Sequence, residues 1–201
     1  MHIDSSERDE VLLRRSAKGD EDSFTEIYRH HQAPLYRFAL RMTGNSWAAE
    51  EIVQEVFMIL VRDPKKYQAE RGTLGAFLYG VTRNRVMKHL ERSPRDLPLP
   101  LDGEDGHVAL PQTIDSVTPA HLAVTGERRA LVREAVMELP VEFREAVVLC
   151  LLEEMSYEEA AGWLECPVGT IRSRLHRGRA LLLAKLEILR AAPKRASANR
   201  S

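Results

Sequence analysis

Apolar residues recur at three-and-four spacing through the first ninety or so residues, a pattern that predicts helices and not strands. The first apolar stripe covers residues 24–42, with Pro34 as the place for a minor break. A second stripe covers 52–60, after the stop and new cap at Gly44-Asn45. A third runs from 74 towards 90, behind the candidate cap Thr73.

The pattern stops at Ser93. The segment SPRDLPLPLDGEDGHVALPQTIDSVTP is rich in proline, glycine and acids and has no helical stripe, which is typical of a linker. Helical spacing resumes near Leu122 and continues to Leu189. We therefore expect an all-α protein of two small helical domains, 8–93 and 121–190, joined by a flexible acidic linker over 94–120.

Composition adds a charge asymmetry. The formal net charge is only −1, yet acids dominate residues 132–165 and bases dominate from Arg172 onward, which is typical of a phosphate-binding stripe. The charged N-terminus does not resemble a signal peptide, and no run approaches the roughly 20 apolar residues of a membrane span. Cys150 and Cys166 lack CxxC spacing. These features predict a cytoplasmic protein without membrane insertion.

The segment SYEEAAGWLECPVGTIRSRLHRGRALLLAKL predicts a helix-turn-helix in the C-terminal domain. Ser156 and Glu159 have the spacing of a capping box on its first helix, and Pro167 suits the first turn of the second. Small residues at 160–162 would let the two helices approach closely. We therefore expect the first helix of the helix-turn-helix to pack closely against the second.

Polar and basic side chains cover the faces of this second helix that the apolar stripe leaves free. Arginine can bind guanine edges bidentately, and hydroxyls or further arginines can hold phosphates. A merely solvated basic helix is an even alternative on charge alone, but the capped first helix and the scarcity of acids favour DNA binding. The candidate DNA-binding residues are Thr170, Arg172, Ser173, Arg174, His176, Arg177 and Arg179.

The segments PVGTIRSRLHRGR and LPVEFREAVVLCLLEEMSYEEAA resemble the C-terminal, promoter-reading region of the sigma-70 family, extracytoplasmic-function branch. The resemblance implies that the second helix enters the major groove of the −35 element. Gly178 stands where alanine is common, and we expect the glycine to destabilise the last turns of the helix by roughly 1 kcal/mol relative to alanine. The pair Gly162-Trp163 is also unusual in the first helix.

The segment AEEIVQEVFMILVRD resembles the family's polymerase-binding helix. Opposite its apolar stripe lie Glu51, Gln54, Glu55 and Met58, which suit a basic helical partner. On spacing alone, an ordinary solvated helix face would be favoured over a partner-binding face by about two to one. The resemblance instead implies core RNA polymerase as the partner, through the β′ clamp helices and the β flap, with an anti-sigma factor as a further candidate partner.

The segment GTLGAFLYGVTRNRVMKHLERS resembles the family's −10-reading helix, which implies a pocket for a flipped base. Phe77 replaces the usual tryptophan and is predicted to be a core residue, and Lys88 replaces the common aspartate. Asn84 is the candidate base-reading amide. The residues expected to contact the −10 element are Tyr67, Arg83, Asn84, Arg85 and Lys88.

Other classes of function fit less well. A helix-turn-helix regulator that never joins polymerase stays open as the alternative, and it should footprint promoter DNA alone. The sequence contains no P-loop, GxSxG or HExxH motif that would predict an enzyme, and we expect no cofactor. We expect no metal site either, because adjacent His30 and His31 should point to different helix faces and Cys166 with His176 lacks further ligands.

Overall fold

The computed structural model describes residues 5–92 and 119–191, with side chains over 7–92 and 128–188. Within these ranges the secondary structure is helical, without strands, so the predicted all-α class is confirmed. The helices are α1 Ser5–Ser16, α2 Glu21–Thr43, α3 Ser46–Arg62, α4 Leu74–Arg92, α5 Pro119–Met137, α6 Val141–Val147, α7 Tyr157–Trp163 and α8 Val168–Ala191. Nearly all of the predicted linker, 94–120, lies outside the described residues.

Local sequence sets the helix ends in the N-terminal unit, α1–α4. Asp20 accepts a hydrogen bond from the Ser23 amide at 3.1 Å and so caps α2. Gly44 ends α2 with a left-handed φ of 68°, donating its amide to the Leu40 carbonyl at 2.8 Å. Asn45 then caps α3 through the Ala48 amide. Helix α2 continues through Pro34 without interruption, at the position that the sequence indicated as the place for a minor break.

Helix α1 was not predicted. Leu12 and Leu13 are its buried apolar residues, too short a stripe to stand out from the charges around it. Polar contacts also fasten it to α2. The Asp9 carboxylate lies 2.8 Å from Nε2 of His31, and Arg8 pairs with Glu26. The helix therefore owes its place to tertiary contacts more than to its own pattern.

The core of the N-terminal unit forms where α2, α3 and α4 pack together. Ile27, Phe38 and Met42 of α2 are fully buried, as the three-and-four spacing predicts. Tyr79 of α4 packs on Phe38 with ring centroids 4.4 Å apart. The loop between α3 and α4 contains two 3₁₀ turns, Pro64–Lys66 and Ala69–Arg71.

In the C-terminal unit, α5–α8, helix α6 widens into a π-helical turn over Val148–Leu152 before α7 begins. Ile171 and Leu175 of α8 are buried with Ala160 and Leu164, which confirms the predicted helix-turn-helix contact. Gly162 is exposed and touches nothing at its Cβ position, so it takes no part in this close approach.

The two units share one continuous apolar core and are joined by buried polar contacts. The guanidinium of Arg144 donates to the Met42 carbonyl at the end of α2, at 2.7 Å, and to the Leu139 carbonyl at 3.0 Å and the Met137 carbonyl. The Met42 carbonyl lies in the last turn of α2 and lacks a partner within that helix, so Arg144 supplies a donor to it from the other unit while also holding the end of α5. Burial lowers the pKa of Arg144.

Gly178 in α8 has a packing role that its sequence position did not reveal. A Cβ there would lie 2.8 Å from Cγ2 of Val147 and 3.2 Å from the Phe143 carbonyl oxygen. Val147 is fully buried and β-branched, so it has little freedom to move aside. The expectation that Gly178 only loosens the helix is therefore incomplete, because glycine lets α8 lie directly on α6.

We predict that Gly178→Ala lowers the free energy of unfolding by about 1 kcal/mol, since overpacking costs roughly 1–3 kcal/mol and outweighs alanine's helix propensity. Thermal unfolding measures the change. Gly162→Ala is the matched control, because its Cβ would enter open space. That variant should be as stable as wild type or slightly more so. A more stable Gly178→Ala protein would contradict the packing role.

Candidate functional site

The predicted capping box at the start of α7 is present. The Ser156 hydroxyl accepts a hydrogen bond from the Glu159 amide at 3.1 Å, and the Ser156 amide donates to the Glu159 carboxylate at 3.0 Å. The Ser156 hydroxyl also donates to the Glu159 carboxylate at 2.7 Å, and this bond, followed by the bond from the Ser156 amide, lowers the pKa of Glu159. Glu165 adopts a left-handed φ of 50° in the turn that leads to α8. The turn thus holds α8 at a fixed angle to α7.

The outer face of α8 presents the predicted −35 residues. Arg172, Ser173, His176, Arg177 and Arg179 are exposed, whereas Thr170 and Arg174 are half-buried at its edges. The Arg172 guanidinium carbon lies 5.8 Å from the centre of the Tyr157 ring, and the Ser173 hydroxyl donates to the Thr170 carbonyl. A continuous basic face therefore remains open to a groove or a phosphate chain.

We predict that Ser156→Ala lowers the free energy of unfolding by about 1 kcal/mol through loss of the cap. The folded pKa of Glu159 lies below its ordinary value of 4.5, so the cap stabilises the protein above that value and fades as pH falls through the folded pKa. Melting curves at neutral pH and below pH 4.5 should show the difference between wild type and variant narrowing in acid.

Glu158→Gln is the control for this cap, since Glu158 is exposed in the same turn and is not part of the capping box. Equal melting temperatures for wild type and Ser156→Ala at neutral pH would show that the cap does not stabilise the helix-turn-helix.

Part of the predicted −10 set lies around one cleft. Tyr67 and Asn84 line it together with Phe77, and the rings of Tyr67 and Phe77 lie 5.9 Å apart. Phe77 is half-buried: it packs against the core, as the sequence predicted, and it also lines the cleft, which the sequence did not predict. Burial raises the pKa of Tyr67, and its buried hydroxyl has no hydrogen-bond partner within the described part of the chain. The opposite wall comes from the C-terminal unit, through Trp163.

Arg83 is not among the residues that line this cleft, and it pairs with Glu145 of α6. Its Nε and Nη2 donate to the two carboxylate oxygens of Glu145 at 2.5 and 3.1 Å. The hydrogen bond to Glu145 raises the pKa of Arg83. Glu145 is only 1% exposed, so the carboxylate is withdrawn from water on every side. The structure thus separates Arg83 from Asn84 and Arg85, which follow it directly in sequence.

A shallow groove between α3 and α4 brings together the rest of the −10 set. Asn84, Arg85 and Lys88 line it with Ile59 and Val81. Asn84 borders both the groove and the cleft. The Arg85 guanidinium also lies 3.2 Å from the Glu55 carboxylate, so the predicted −10 residues and the predicted polymerase-binding residues meet at this groove.

The exposed face of α3 carries the predicted polymerase-binding residues. Glu51, Gln54, Glu55 and Met58 are all exposed on it. Trp47, 69% exposed, and Val61, 51% exposed, extend the same face at three-and-four spacing towards the two ends of the helix. Sequence reasoning missed both, although the spacing 47, 51, 54, 58, 61 could have revealed them. The face is more apolar than predicted.

The adjacent histidines do not diverge as predicted. The rings of His30 and His31 stack at 4.7 Å, 10° from parallel, and ligand atoms of Asp9 join them within 4.8 Å. Ring-nitrogen lone pairs lie in the ring planes, so stacked rings do not aim theirs at one point. The direct contact between Asp9 and His31 accounts for the cluster as a fastening of α1 to α2.

Among the described residues, no helix combines the length and apolar character needed to cross a bilayer.

The sequence matches two family profiles in order along the chain. Residues 27–95 match Sigma-70 region 2, and residues 129–182 match Sigma-70, region 4. The first match covers most of α2 and all of α3 and α4, with the N-terminal side of the cleft and the exposed face of α3. The second covers about half of α5, all of α6 and α7, and most of α8.

Curated relatives carry the same assignment. The chain is 36% identical over 171 residues to the ECF RNA polymerase sigma factor SigE of Mycolicibacterium smegmatis, covering 81% of this chain and 62% of that relative. It is 29% identical over 180 residues to the ECF RNA polymerase sigma factor SigW of Bacillus subtilis, covering 88% of this chain and 96% of SigW. The chain therefore spans less than two thirds of SigE but nearly all of SigW.

Two solved structures share the fold. CnrH, solved with the cytosolic domain of CnrY, superposes with a TM-score of 0.63 at 22% identity, covering 90% of this chain and 98% of CnrH. The sigma factor RpoE of Bartonella quintana, solved with the anti-sigma factor NepR, gives 0.57 at 24% identity, covering 82% of this chain and 97% of RpoE.

Proposed function

The chain belongs to the extracytoplasmic-function branch of the sigma-70 family, and from this we propose that it joins core RNA polymerase and directs it to promoters, without itself catalysing a reaction. The observation that carries the proposal is the presence of both matches, region 2 followed by region 4, in one chain. A helix-turn-helix regulator that works without polymerase would have no use for region 2.

The proposed division of labour follows the two helical units. Residues 8–93 would bind core polymerase and the −10 element, 121–190 would bind the −35 element, and 94–120 would connect them. Polymerase and chromosome occupy the cytoplasm, which is where the protein would act. RpoE was solved with the anti-sigma factor NepR, which supports an anti-sigma factor as a partner here.

In the C-terminal unit, the exposed face of α8 supports −35 recognition. Arg172, Ser173, His176 and Arg177 project from successive turns, and all are exposed. Paired arginine N–H groups match the acceptors of guanine in the major groove. The remaining basic residues would hold phosphates on either side and fix the register of the helix.

In the N-terminal unit, the cleft supports −10 recognition in a melted strand. Phe77 and Tyr67 offer flat apolar surfaces to an unstacked base, and the Asn84 amide can read its edge. Arg85 and Lys88 lie in the adjoining groove, where they would neutralise the strand's phosphates.

We predict that the double change Arg172→Glu and Arg177→Glu abolishes transcription from a cognate promoter in a reconstituted assay, because it replaces two DNA-facing cations with anions. Core-polymerase binding should stay at the wild-type level. Arg14→Glu with Arg15→Glu, on the exposed side of α1, changes the net charge equally and serves as control. Full promoter output from the α8 double variant would refute the −35 assignment.

We predict that Gln54→Lys or Trp47→Ala weakens binding to core polymerase about tenfold or more, since truncating a central contact residue commonly costs 1–2 kcal/mol or more. Lysine at position 54 would also repel a basic partner helix. Co-purification with core polymerase and a titration of holoenzyme formation measure the loss. Glu187→Lys, on the exposed end of α8, is the control for an added positive charge. Undiminished binding of both variants would exclude this face of α3 as the docking site.

A transcription assay with core polymerase on a randomised promoter library tests the function as a whole. A sigma factor should yield transcripts from a defined subset of sequences only when core polymerase is present. A regulator of the alternative class should instead protect promoter DNA by itself.

A further inference from the structure

We propose that the buried pair of Asp9 and His31 positions the −10 loop, the segment 63–73 between α3 and α4, and thereby sets how sharply the chain reads the −10 element. This role rests on the proposed function, because it concerns the same −10 site. Neither residue lines the cleft at Asn84, so both are positioning residues. Helix α1, which carries Asp9, precedes both segments that match a family profile.

Asp9 is an acid on the buried face of α1. It is 5% exposed and shares that face with Leu12 and Leu13, where an apolar residue is the usual choice. A carboxylate withdrawn from water needs a hydrogen-bond partner, and Nε2 of His31 lies 2.8 Å from its Oδ2. The polar pair therefore occupies a position in which packing alone would have favoured another leucine or valine.

The ring of His31 also reaches the first turn of α4. A Cβ built on Gly75 would lie 3.5 Å from Cε1 and 3.7 Å from Nδ1 of His31, so the ring lies against this glycine. Thr73, the last residue of the −10 loop, caps α4 by accepting a hydrogen bond from the Ala76 amide at 3.2 Å. The ring is thus placed between the Asp9 carboxylate and the point where the −10 loop enters α4.

The −10 loop also meets α1 at Tyr67. The Tyr67 ring lines the cleft beside Phe77, while its hydroxyl is buried and finds no hydrogen-bond partner among the residues that the structure describes. Burial raises the pKa of this hydroxyl, and the charges of Glu10 and Asp9 raise it further, as expected where α1 brings carboxylates towards it. A shift of α1 would therefore change the surroundings of Tyr67.

One buried pair thus acts on the −10 loop in its middle, at Tyr67, and at its end, at Thr73. Small displacements matter in such a loop, because a misplacement of about 1 Å can cost a reaction as much as 100-fold. The ion pair of Arg8 and Glu26 joins the same two helices but is exposed, and exposed pairs hold little. Burial beside the loop is what gives Asp9 and His31 their positioning role.

The test measures promoter preference with the full-length protein assembled on core polymerase. Transcription from a library randomised at the −10 element gives the ratio of output between preferred and disfavoured sequences. A second library, randomised at the −35 element, gives the same ratio for α8. The variants are Asp9→Ala and Asp9→Asn. Glu26→Gln is the matched control on the same pair of helices, and Ile52→Val lowers stability modestly in the core of the same unit.

Hydrogen exchange in the free chain measures the −10 loop directly. The amides of Lys66, Tyr67, Arg71 and Gly72 are hydrogen-bonded within the two 3₁₀ turns, so their exchange rates report whether the loop is held. Asp9→Ala leaves no charge buried without a partner, because the histidine can stay neutral. Should it nevertheless unfold, Asp9→Val repeats the test with a residue that continues the apolar face of α1.

We expect Asp9→Ala to lower the −10 ratio about fivefold or more, the lower end of what a base-reading contact provides, and to leave the −35 ratio unchanged. Exchange at the four loop amides should accelerate. Asp9→Asn should retain most of the wild-type −10 ratio, since the asparagine oxygen can still accept a hydrogen bond from Nε2 of His31. Glu26→Gln and Ile52→Val should match wild type in both ratios.

A uniform fall in output with an unchanged −10 ratio would overturn the proposal, because it would show a structural role only. An equal loss of the −10 ratio in Ile52→Val, or unchanged loop exchange in Asp9→Ala, would overturn it too. Absence of polymerase-dependent transcription in wild type would instead refute the proposed sigma function. Exchange in the free chain would then still decide whether Asp9 holds the loop.

Discussion

A carboxylate that is removed from water has to find hydrogen-bond donors inside the protein, and the oxygens of Glu145 find them on Arg83 of the other helical unit. The same short stretch of α6 provides Arg144, which donates to the carbonyl that ends α2. At the end of the following π-helical turn, Glu153 pairs with Arg37 and Arg41. One segment of the C-terminal unit thus reaches two helices of the N-terminal unit through charged side chains, and the apolar core closes around those contacts.

Periodicity and capping chemistry were enough to predict the helices with long apolar stripes. The stripes of α2 and α3 are buried where the spacing placed them, and the capping box at Ser156 forms as its two residues require. Helix α1 escaped prediction because Leu12 and Leu13 make too short a stripe, so its position depends on contacts distant in sequence. The same limit applies to Gly178, whose necessity arises from Val147 on another helix.

The candidate sites were predictable to different degrees for the same reason. Exposure of Arg172 and Arg177 follows from a single helix, since the buried stripe decides which faces remain outside. The cleft at Asn84 is formed by the loop between α3 and α4, by α4 itself and by residues of the C-terminal unit. The sequence indicated the loop and α4 as parts of the site but not the contribution of the C-terminal unit. The sequence also offered no way to pair Arg83 with Glu145, because a pattern shows which side chains are buried and not what they are buried against.

The contact between the two units combines buried ion pairs and aromatic packing with a shared apolar core. A purely apolar interface would lose its whole surface to water on opening, a cost that grows with area. Separating these two units would expose apolar side chains of their shared core, with Tyr79 and Trp163 among them, and would return to water charges whose burial is costly. The two donors of Arg83 are satisfied by the Glu145 carboxylate in the fork geometry that arginine uses for carboxylates and phosphates alike, so the choice of partner is set by what the neighbouring helix supplies.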